Sequence, residues 1–412
     1  MPQLLLVFAF AGSLWPAAFS VESSGISAEQ GSLGAVQATG PCANALVIGA
    51  GGFIGSHVSR LLADDALAAG CTGGPVVFGL VRRGSNWRGW PALQQTTSLF
   101  EIVEGDLRDR ERISAVVAAV KPRLVFHLAV EAVDKAYGEY DSAAKDMRDD
   151  PNLLSTQNLI AALQAHMPGA NAVFASTSMI YSMHSTAKGP VAEDATVLPA
   201  TRYGMSKAAQ ERLVLEAGWL VARLFNHEGP GPRGGALSSW CRRIAEIELN
   251  AGSFRSQPVL IHGSLQPQRD ISPVALGARR LVSLVRQRGL KDGIYNVGSG
   301  HAVPMGKLLR WALAAAELPS GLGIRLQADP ALIRPGEEAV VVADITKLRQ
   351  ALPESYMQCH HAANESDCHE TSLQAMVTEV IDYWRSVLRH INSENSSCKP
   401  SEATREVNGT EL

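Results

Sequence analysis

A tyrosine and a lysine lie four residues apart in the segment from Arg202 to Lys207, which reads RYGMSK. Residues at this spacing share one face of a helix, so a helix here would bring the phenol of Tyr203 and the ammonium of Lys207 together. A nearby ammonium favours the phenolate form of a tyrosine, whose ordinary pKa is about 10. Tyr203 could then exchange a proton with a hydroxyl or a ketone near neutral pH, which predicts acid–base chemistry at a carbon–oxygen bond.

Hydroxyl side chains lie upstream of this pair, at the end of a predicted strand. The strand begins over Asn171 to Ala175 and runs into Ser176-Thr177-Ser178, followed by Met179. Ligands of open parallel α/β sheets bind at the carboxyl ends of the strands. A hydroxyl at this strand end is therefore a candidate to hold the oxygen that reacts with Tyr203.

A glycine-rich turn near the start of the chain predicts the element around which the others are arranged. The apolar run Ala45 to Ile48 is typical of a buried strand, and Gly49, Gly52 and Gly55 follow it. Glycine permits a sharp turn, lets backbone N–H groups approach a pyrophosphate and allows the next helix to pack closely. The pattern favours a dinucleotide site at a helix N-terminus, although small-residue turns also join strands to helices with no ligand.

Further strand and helix patterns alternate along the chain. Buried strands are predicted at Pro75 to Leu80, Glu101 to Leu107 and Leu124 to Ala129, with helices between them. This alternation predicts an α/β fold with a doubly wound parallel sheet and right-handed crossovers. His127 lies in the apolar fourth strand, so we interpret it as a hydrogen-bonded core residue.

Two arginines at the end of the second strand indicate the cofactor. An NAD site carries an acidic residue about 20 residues beyond the glycine turn, whereas a 2′-phosphate needs a cation there. Arg82 and Arg83 occupy this region. They favour NADP, with NAD as the alternative cofactor and a solvated pair of charges as the structural alternative.

Composition sets limits on the class of protein. A chain of 412 residues with 46% hydrophobic and 19% charged residues can bury a substantial core in one large or two ordinary domains. The net charge of -3 gives no excess of basic residues to hold a polyanion, which argues against a nucleic-acid partner.

The two ends of the chain differ from its middle. Residues 1–20 contain an apolar segment that we interpret as a signal peptide, although no basic residue precedes it, and residues 21–43 are predicted to form a linker. This predicts the secretory pathway or an organelle, with the cytoplasm as the alternative, and no membrane attachment once the signal is removed. Residues 393–412 are polar and predicted to be disordered.

The six cysteines are scattered and do not form the dense pattern of a disulfide scaffold, so they leave the compartment open. Cys359-His360-His361 and Cys368-His369 match no standard zinc spacing, and we predict no metal site.

Taken in order, several motifs resemble the extended short-chain dehydrogenase/reductase family, also called the NAD-dependent epimerase/dehydratase family. They are GAGGFIG from Gly49, HLA from His127, the Tyr203-x-x-x-Lys207 pair, and the segment from Arg223 to Gly231. Within the family the chain looks most like GDP-4-keto-6-deoxymannose reductases and GDP-mannose 4,6-dehydratases.

The resemblance implies a role for particular residues. The implied catalytic residues are Thr177, Tyr203 and Lys207, with Ser176 and Ser178 as less favoured substitutes for Thr177. The implied cofactor-binding residues are Gly49, Gly52, Phe53, Ile54, Gly55, Arg82, Arg83, Asp106, Leu107, Leu128, Ala129 and Lys207. The implied substrate-binding residues are Asn226, Arg269, Arg334 and Glu337.

The resemblance also implies a Rossmann-type NADP-binding domain over residues 44–225. A smaller C-terminal substrate domain over residues 226–392 would be partly interleaved with the sheet. The expected assembly is a homodimer formed through a helix bundle, and the expected substrate is a nucleotide sugar.

One departure from the family narrows the predicted reaction. The dehydratases carry a glutamate where this chain has Met179, and a thioether cannot act as an acid or a base. We therefore predict reduction of a 4-keto-6-deoxyhexose nucleotide. The alternatives are a nucleotide-sugar 4-epimerase and a non-catalytic nucleotide-sugar sensor. The charged segment from Glu131 to Asp150 has no predicted role.

Overall fold

The computed structural model describes residues 39–85, 98–131, 147, 149–182, 189–231, 235–287, 290, 293–333, 339–353 and 365–397. The signal-peptide and Cys359–His361 predictions lie outside these residues, as does most of the 21–43 linker. The predicted disorder of 393–412 is wrong for residues 393–397, which continue the helix Glu365–Ser397, and the rest of that tail lies outside the described residues.

A seven-stranded parallel sheet forms the centre of the fold, and this confirms the predicted fold class. Its strands are β1 (Ala45–Ile48), β2 (Val77–Val81), β3 (Phe100–Glu104), β4 (Leu124–His127), β5 (Asn171–Thr177), β6 (Leu220–Leu224) and β10 (Ile294–Val297). Their order across the sheet is β10-β6-β5-β4-β1-β2-β3. The order reverses between β1 and β4, so a crevice opens there at the carboxyl ends of the strands.

Helices cover both faces of this sheet. They are α1 (Phe53–Ala68), α2 (Arg110–Val120), α3 (Pro151–His166), α4 (Arg202–Glu216) and α6 (Val274–Arg286). Side chains alternate along β1, so Val47 packs into the core cluster shared with α1 and α6, whereas Ile48 packs into the cluster shared with α2, α3 and α4. The apolar run that predicted β1 is fully buried because it contributes to both clusters.

A second group of elements follows β6. Its strands are β7 (Asn226–Glu228), β8 (Val259–His262), β9 (Gln268–Pro273), β11 (Ala302–Pro304), β12 (Arg325–Ala328) and β13 (Val340–Val341). Its helices are α5 (Ala236–Leu249), α7 (Met305–Ala314), α8 (Thr346–Ala351) and α9 (Glu365–Ser397). Three of these helices, α5, α7 and α9, share a separate hydrophobic core. Because β10 returns to the large sheet, the two groups are interleaved along the chain.

Two cysteines that the sequence left unassigned form a disulfide. Cys42 precedes β1, Cys71 follows α1, and they are bonded to each other. Cys368 is also disulfide-bonded, whereas Cys241 is a buried free thiol. In the part of the chain that the structure describes, no helix has the length and apolar character needed to cross a membrane.

Candidate active site

The glycine turn leads from β1 into the first turn of α1. Gly49 has a φ of +84°, a conformation that L side chains rarely adopt, and a Cβ there would lie 2.8 Å from the backbone nitrogen of Ala129. A Cβ at Gly55 would overlap the carbonyl oxygen of Gly49. Both positions therefore need glycine for the turn to close against α1 and against the end of β4.

The N-terminus of α1 can accept an anion. Its cap residue, Gly52, provides no side chain to accept hydrogen bonds from the N–H groups of the first turn. Phe53 and Ile54 begin the helix and are half-buried beside this turn. The backbone N–H groups of this first turn and the helix dipole fit a phosphate, so this cradle fits the dinucleotide predicted from the sequence.

The end of β4 faces this turn across the topological switch point. Leu128 donates its backbone N–H to Ile48 at 3.0 Å, and Ala129 contacts Gly49. His127, one residue earlier, is buried, and its Nε2 lies 3.1 Å from the Thr156 hydroxyl. Burial and the charge of Lys207 lower the pKa of His127 to about 3, so it is neutral at physiological pH.

The two arginines after β2 lie in different surroundings. Arg82 forms an ion pair with Glu131 at 3.3 Å, on the side of the sheet that carries the crevice. Arg83 forms a longer contact, 3.6 Å, with Glu104 of β3, and its side chain is 93% exposed. Only Arg82 of the two is therefore held by a residue that follows β4.

Asp106 and Leu107 follow β3 at the same edge of the sheet. Arg108 donates to both carboxylate oxygens of Asp106, at 3.1 and 2.6 Å, and these bonds hold the pKa of Asp106 below its ordinary value. Asn158 of α3 donates to the backbone carbonyl of Leu107 at 2.9 Å. The loop that carries these two implied cofactor-binding residues is thus fixed by a helix.

Thr177 is the last residue of β5. Its hydroxyl accepts a hydrogen bond from the Met179 backbone at 3.3 Å, which caps the short 3₁₀ helix Ser178–Ile180. Ser176 is buried on the opposite face of the strand, and Met179 is 40% exposed. Thr177 and Met179 therefore lie at the carboxyl end of β5, the strand next to β4.

The first turn of α4 packs against this strand end. The Thr201 hydroxyl caps the helix by accepting from the Gly204 backbone at 3.1 Å. A Cβ at Gly204 would lie 2.6 Å from the carbonyl oxygen of Met179, so only glycine permits this approach. Tyr203 precedes Gly204 in this first turn and is half-buried.

Lys207 lies one turn further along α4 and is buried. Its Nζ donates to the carbonyl oxygen of Ala175 at 2.8 Å and lies 4.5 Å from the centre of the Phe174 ring. Burial lowers the pKa of Lys207 to about 7, while the negative charges of Glu211 and Asp150 oppose that shift. The structure thus joins Lys207 to β5 two residues before Thr177, and Tyr203 lies one turn earlier on the same helix.

A buried ion pair fixes α4 along the sheet. Arg223 of β6 donates to both carboxylate oxygens of Glu211, at 3.1 and 2.9 Å. The same guanidinium donates to the hydroxyl of Tyr181 at 3.1 Å, three residues from the start of the short helix. This network positions both the helix that carries Tyr203 and the segment that follows Thr177.

The predicted substrate residues lie on neighbouring strands where the structure describes them. Asn226 begins β7, and its amide donates to the carbonyl oxygen of Asp270 on β9 at 3.2 Å. Arg269 precedes Asp270 and is half-buried. Arg334 and Glu337 lie outside the described residues.

Sequence reasoning missed Glu131 and the residue that holds it. Asn152 of α3 accepts from the Glu131 backbone N–H at 2.7 Å and donates to its carbonyl oxygen at 3.2 Å. No local motif signals this pairing, because 21 residues separate the partners. Among the described residues, no group of three or more His, Cys, Asp or Glu side chains could hold a metal ion.

Most of the chain is similar to proteins of a described family. Residues 45–298 match the NAD dependent epimerase/dehydratase family. The chain is 27% identical over 331 residues to a UDP-glucose 4-epimerase of Rhizobium meliloti, a match that covers 75% of this chain and 91% of the relative. It is 30% identical over 197 residues to a GDP-6-deoxy-D-mannose reductase of Pseudomonas aeruginosa, covering 45% of this chain and 61% of the relative.

Among solved structures, RMD from Pseudomonas aeruginosa complexed with NADPH has the same fold. The TM-score is 0.61 at 22% identity, over 84% of this chain and 99% of that one. The match of residues 45–298 to the family confirms the resemblance predicted from the sequence motifs.

Proposed function

Because this chain belongs to the NAD dependent epimerase/dehydratase family, we propose that it is an NADP(H)-dependent reductase of a nucleotide-linked 4-keto-6-deoxyhexose. The substrate is of the GDP-4-keto-6-deoxymannose type. The observation that supports the proposal is the packing of α4, which carries Tyr203 and Lys207, against the end of β5, where Lys207 bonds to Ala175 and Gly204 approaches the exposed Met179. Tyr203 and Lys207 can move a proton at a carbonyl oxygen, but Met179 cannot take one from a neighbouring carbon.

The nicotinamide, when bound, supplies the hydride that reduces C4 of the sugar. The Thr177 hydroxyl donates a hydrogen bond to the C4 oxygen and orients it. Tyr203 donates its phenolic proton to that oxygen, so the ketone becomes a hydroxyl and the tyrosine becomes a phenolate. The Lys207 ammonium stabilises this phenolate until solvent returns the proton. Hydride and proton together account for the two hydrogens that the product gains.

Residues at the start of the second group of elements would bind the nucleotide sugar. We assign Asn226 and Arg269 to the binding of this substrate. Their strands support the assignment, because β7 follows β6 directly and pairs with β9. Arg334 and Glu337 complete the proposed set, with the arginine on the diphosphate and the acid on the ribose. The Pseudomonas relative named a GDP-6-deoxy-D-mannose reductase supports a sugar of this class.

Epimerisation at C4 is the second candidate function. It uses the same three residues but returns the hydride to the opposite face of the same sugar. The similarity to the Rhizobium UDP-glucose 4-epimerase over 75% of this chain favours it. A non-catalytic nucleotide-sugar sensor is the third, and it would have no need for all three of Thr177, Tyr203 and Lys207.

A substrate panel tests the proposal. Purified protein is incubated with nucleotide-linked 4-ketosugars carrying different bases, and the absorbance of NADPH or NADH is followed. We expect stoichiometric loss of NADPH absorbance with a GDP-linked 4-keto-6-deoxyhexose. Interconversion of 4-hydroxy epimers with no net change in absorbance would contradict the reductase assignment and favour the epimerase.

The remaining expectations extend this proposal. We propose that the protein resides in an oxidising compartment, reached through a signal peptide in residues 1–20, since the Cys42–Cys71 disulfide persists most readily there.

We also propose that the chain is divided into a cofactor domain over residues 44–225 and a substrate domain over residues 226–392, and that it forms a homodimer. Mass photometry of the purified chain tests the dimer, and fractionation of cells with thiol labelling before lysis tests the compartment.

A further inference from the structure

Three strand ends meet at one carboxylate. Glu131 follows β4, Arg82 follows β2, and Arg108 follows β3. One oxygen of Glu131, Oε1, lies 3.3 Å from the Arg82 guanidinium and 3.6 Å from the Arg108 guanidinium. The two arginines are therefore joined through a single internal anion.

Helix α3 holds the backbone on two sides of this arrangement. Asn152 holds the backbone of Glu131 through both its N–H and its carbonyl group. Asn158, further along the same helix, donates to the backbone carbonyls of Leu107 and Arg108. One helix thus holds the backbones of both Glu131 and Arg108.

The charges in the cluster cancel. Arg82 and Arg108 are each paired with Glu131, and Arg108 also forms a two-bond pair with Asp106. Two positive and two negative side chains leave no net charge for an incoming anion. A phosphate monoester carries about 1.5 to 2 negative charges at neutral pH, so it gains little from this cluster while Glu131 occupies it.

We propose that Glu131 sets the preference of this chain between NADP(H) and NAD(H), because it holds Arg82 and Arg108 in ion pairs that a 2′-phosphate must displace. Arg108 is thereby a second cation of the 2′-phosphate site, in addition to Arg82. With NAD(H) the Glu131 and Asp106 carboxylates stay paired and can accept a hydrogen bond from the ribose 2′-hydroxyl. The inference rests on the proposed cofactor-binding function.

Removing only the charge of Glu131 separates this role from a structural one. Glu131→Gln keeps the backbone bonds to Asn152, which involve no side-chain atom of Glu131. Isothermal titration calorimetry of the full chain with NADPH and with NADH then measures binding without turnover. Glu111→Gln is the matched control, because Glu111 is an exposed acid in the first turn of α2, just beyond the same loop.

We expect Glu131→Gln to bind NADPH about three- to tenfold more tightly than the wild type, with NADH binding unchanged or weaker. Arg108→Ala should weaken NADPH binding by a similar factor and leave NADH binding unchanged. Glu131→Ala should shift the ratio of the two affinities in the same direction as Glu131→Gln, and Glu111→Gln should not shift it.

A ratio of affinities that stays within about twofold of wild type in both Glu131 variants would overturn the inference. Equal weakening of both nucleotides would also overturn it, since Glu131 would then be only structural. A wild-type chain that binds neither nucleotide would contradict the proposed function as well, so the two failures are distinguishable.

Discussion

The Nζ of Lys207 donates a hydrogen bond to the carbonyl oxygen of Ala175 at 2.8 Å, which joins α4 to β5 two residues before Thr177. Lys207 is 2% exposed, so this bond, the Phe174 ring and the more distant Glu211 and Asp150 charges replace its hydration. They replace it incompletely, and the pKa of Lys207 falls to about 7. The free protein therefore holds this lysine close to the midpoint of its titration at neutral pH.

This lowered pKa predicts a dependence of stability on pH. Between about pH 7 and pH 10 the unfolded chain keeps the proton on Lys207 and the folded chain releases it, so stability rises with pH. The free energies of unfolding of wild type and Lys207→Met, measured with urea, should diverge across this range by up to about 1.4 kcal/mol per pH unit.

The sign of this difference in stability is the test. Lys207→Met is the suitable comparison because it removes the titrating group and keeps a side chain of similar length. Wild type should gain stability over Lys207→Met as the pH rises. Parallel curves would mean that Lys207 titrates in the folded protein near its ordinary value of 10.5.

Replacement of Tyr203 tests the proposed proton donor. Tyr203→Phe removes the phenolic hydroxyl and keeps the ring, so NADPH binding should stay within about twofold of wild type while turnover falls about 10²- to 10⁴-fold. Fluorescence titration measures the first quantity and NADPH oxidation with a ketosugar measures the second. Undiminished turnover in this variant would remove Tyr203 from the mechanism.

Met179 predicts a reaction that should not occur. With GDP-mannose and NADP⁺ the chain should form no 4-keto-6-deoxy product, because a thioether cannot take the proton from C5 or return one to C6. Mass spectrometry would detect the loss of one water from the nucleotide sugar. Dehydration at enzymatic rates would show that another acid reaches the sugar, and the reductase assignment would fail.

The Cys42–Cys71 disulfide predicts a contribution to stability. The bond closes a loop with a sequence separation of 29, which constrains the unfolded chain and corresponds to about 3.5 kcal/mol in a chain-entropy treatment. The Cys42→Ser, Cys71→Ser double variant should melt at a lower temperature by scanning calorimetry. A reductant should lower the melting temperature of the wild type more than that of the variant. A variant as stable as wild type would contradict the prediction.

Local sequence patterns predicted the first strand, the glycine turn and the helix of Tyr203 and Lys207, because each of these depends on local geometry. The run from Ala45 to Ile48 is a strand with the predicted bounds, and Gly49 needs its positive φ. Tyr203 and Lys207 fall on one helix, as their spacing predicted. Each of these features is determined by residues close together in the sequence, so a local pattern predicts it.

Features that depend on distant contacts could not be predicted. Glu131 lies beside Arg82, and Asn152, 21 residues away, holds its backbone. Cys42 and Cys71 pair because β1 and α1 lie between them and return the chain to the same edge. Arg82 and Arg83 look equivalent in the sequence, but only Arg82 lies beside Glu131.

The most direct test of the account follows the hydride itself. Wild-type protein is incubated with a GDP-linked 4-keto-6-deoxyhexose and NADPH deuterated at the hydride-donating carbon, and the product is analysed by mass spectrometry. We predict one deuterium at C4 of the sugar and one NADP⁺ released for each product molecule. A converted sugar that carries no deuterium and leaves the added NADPH unconsumed would contradict the reductase account.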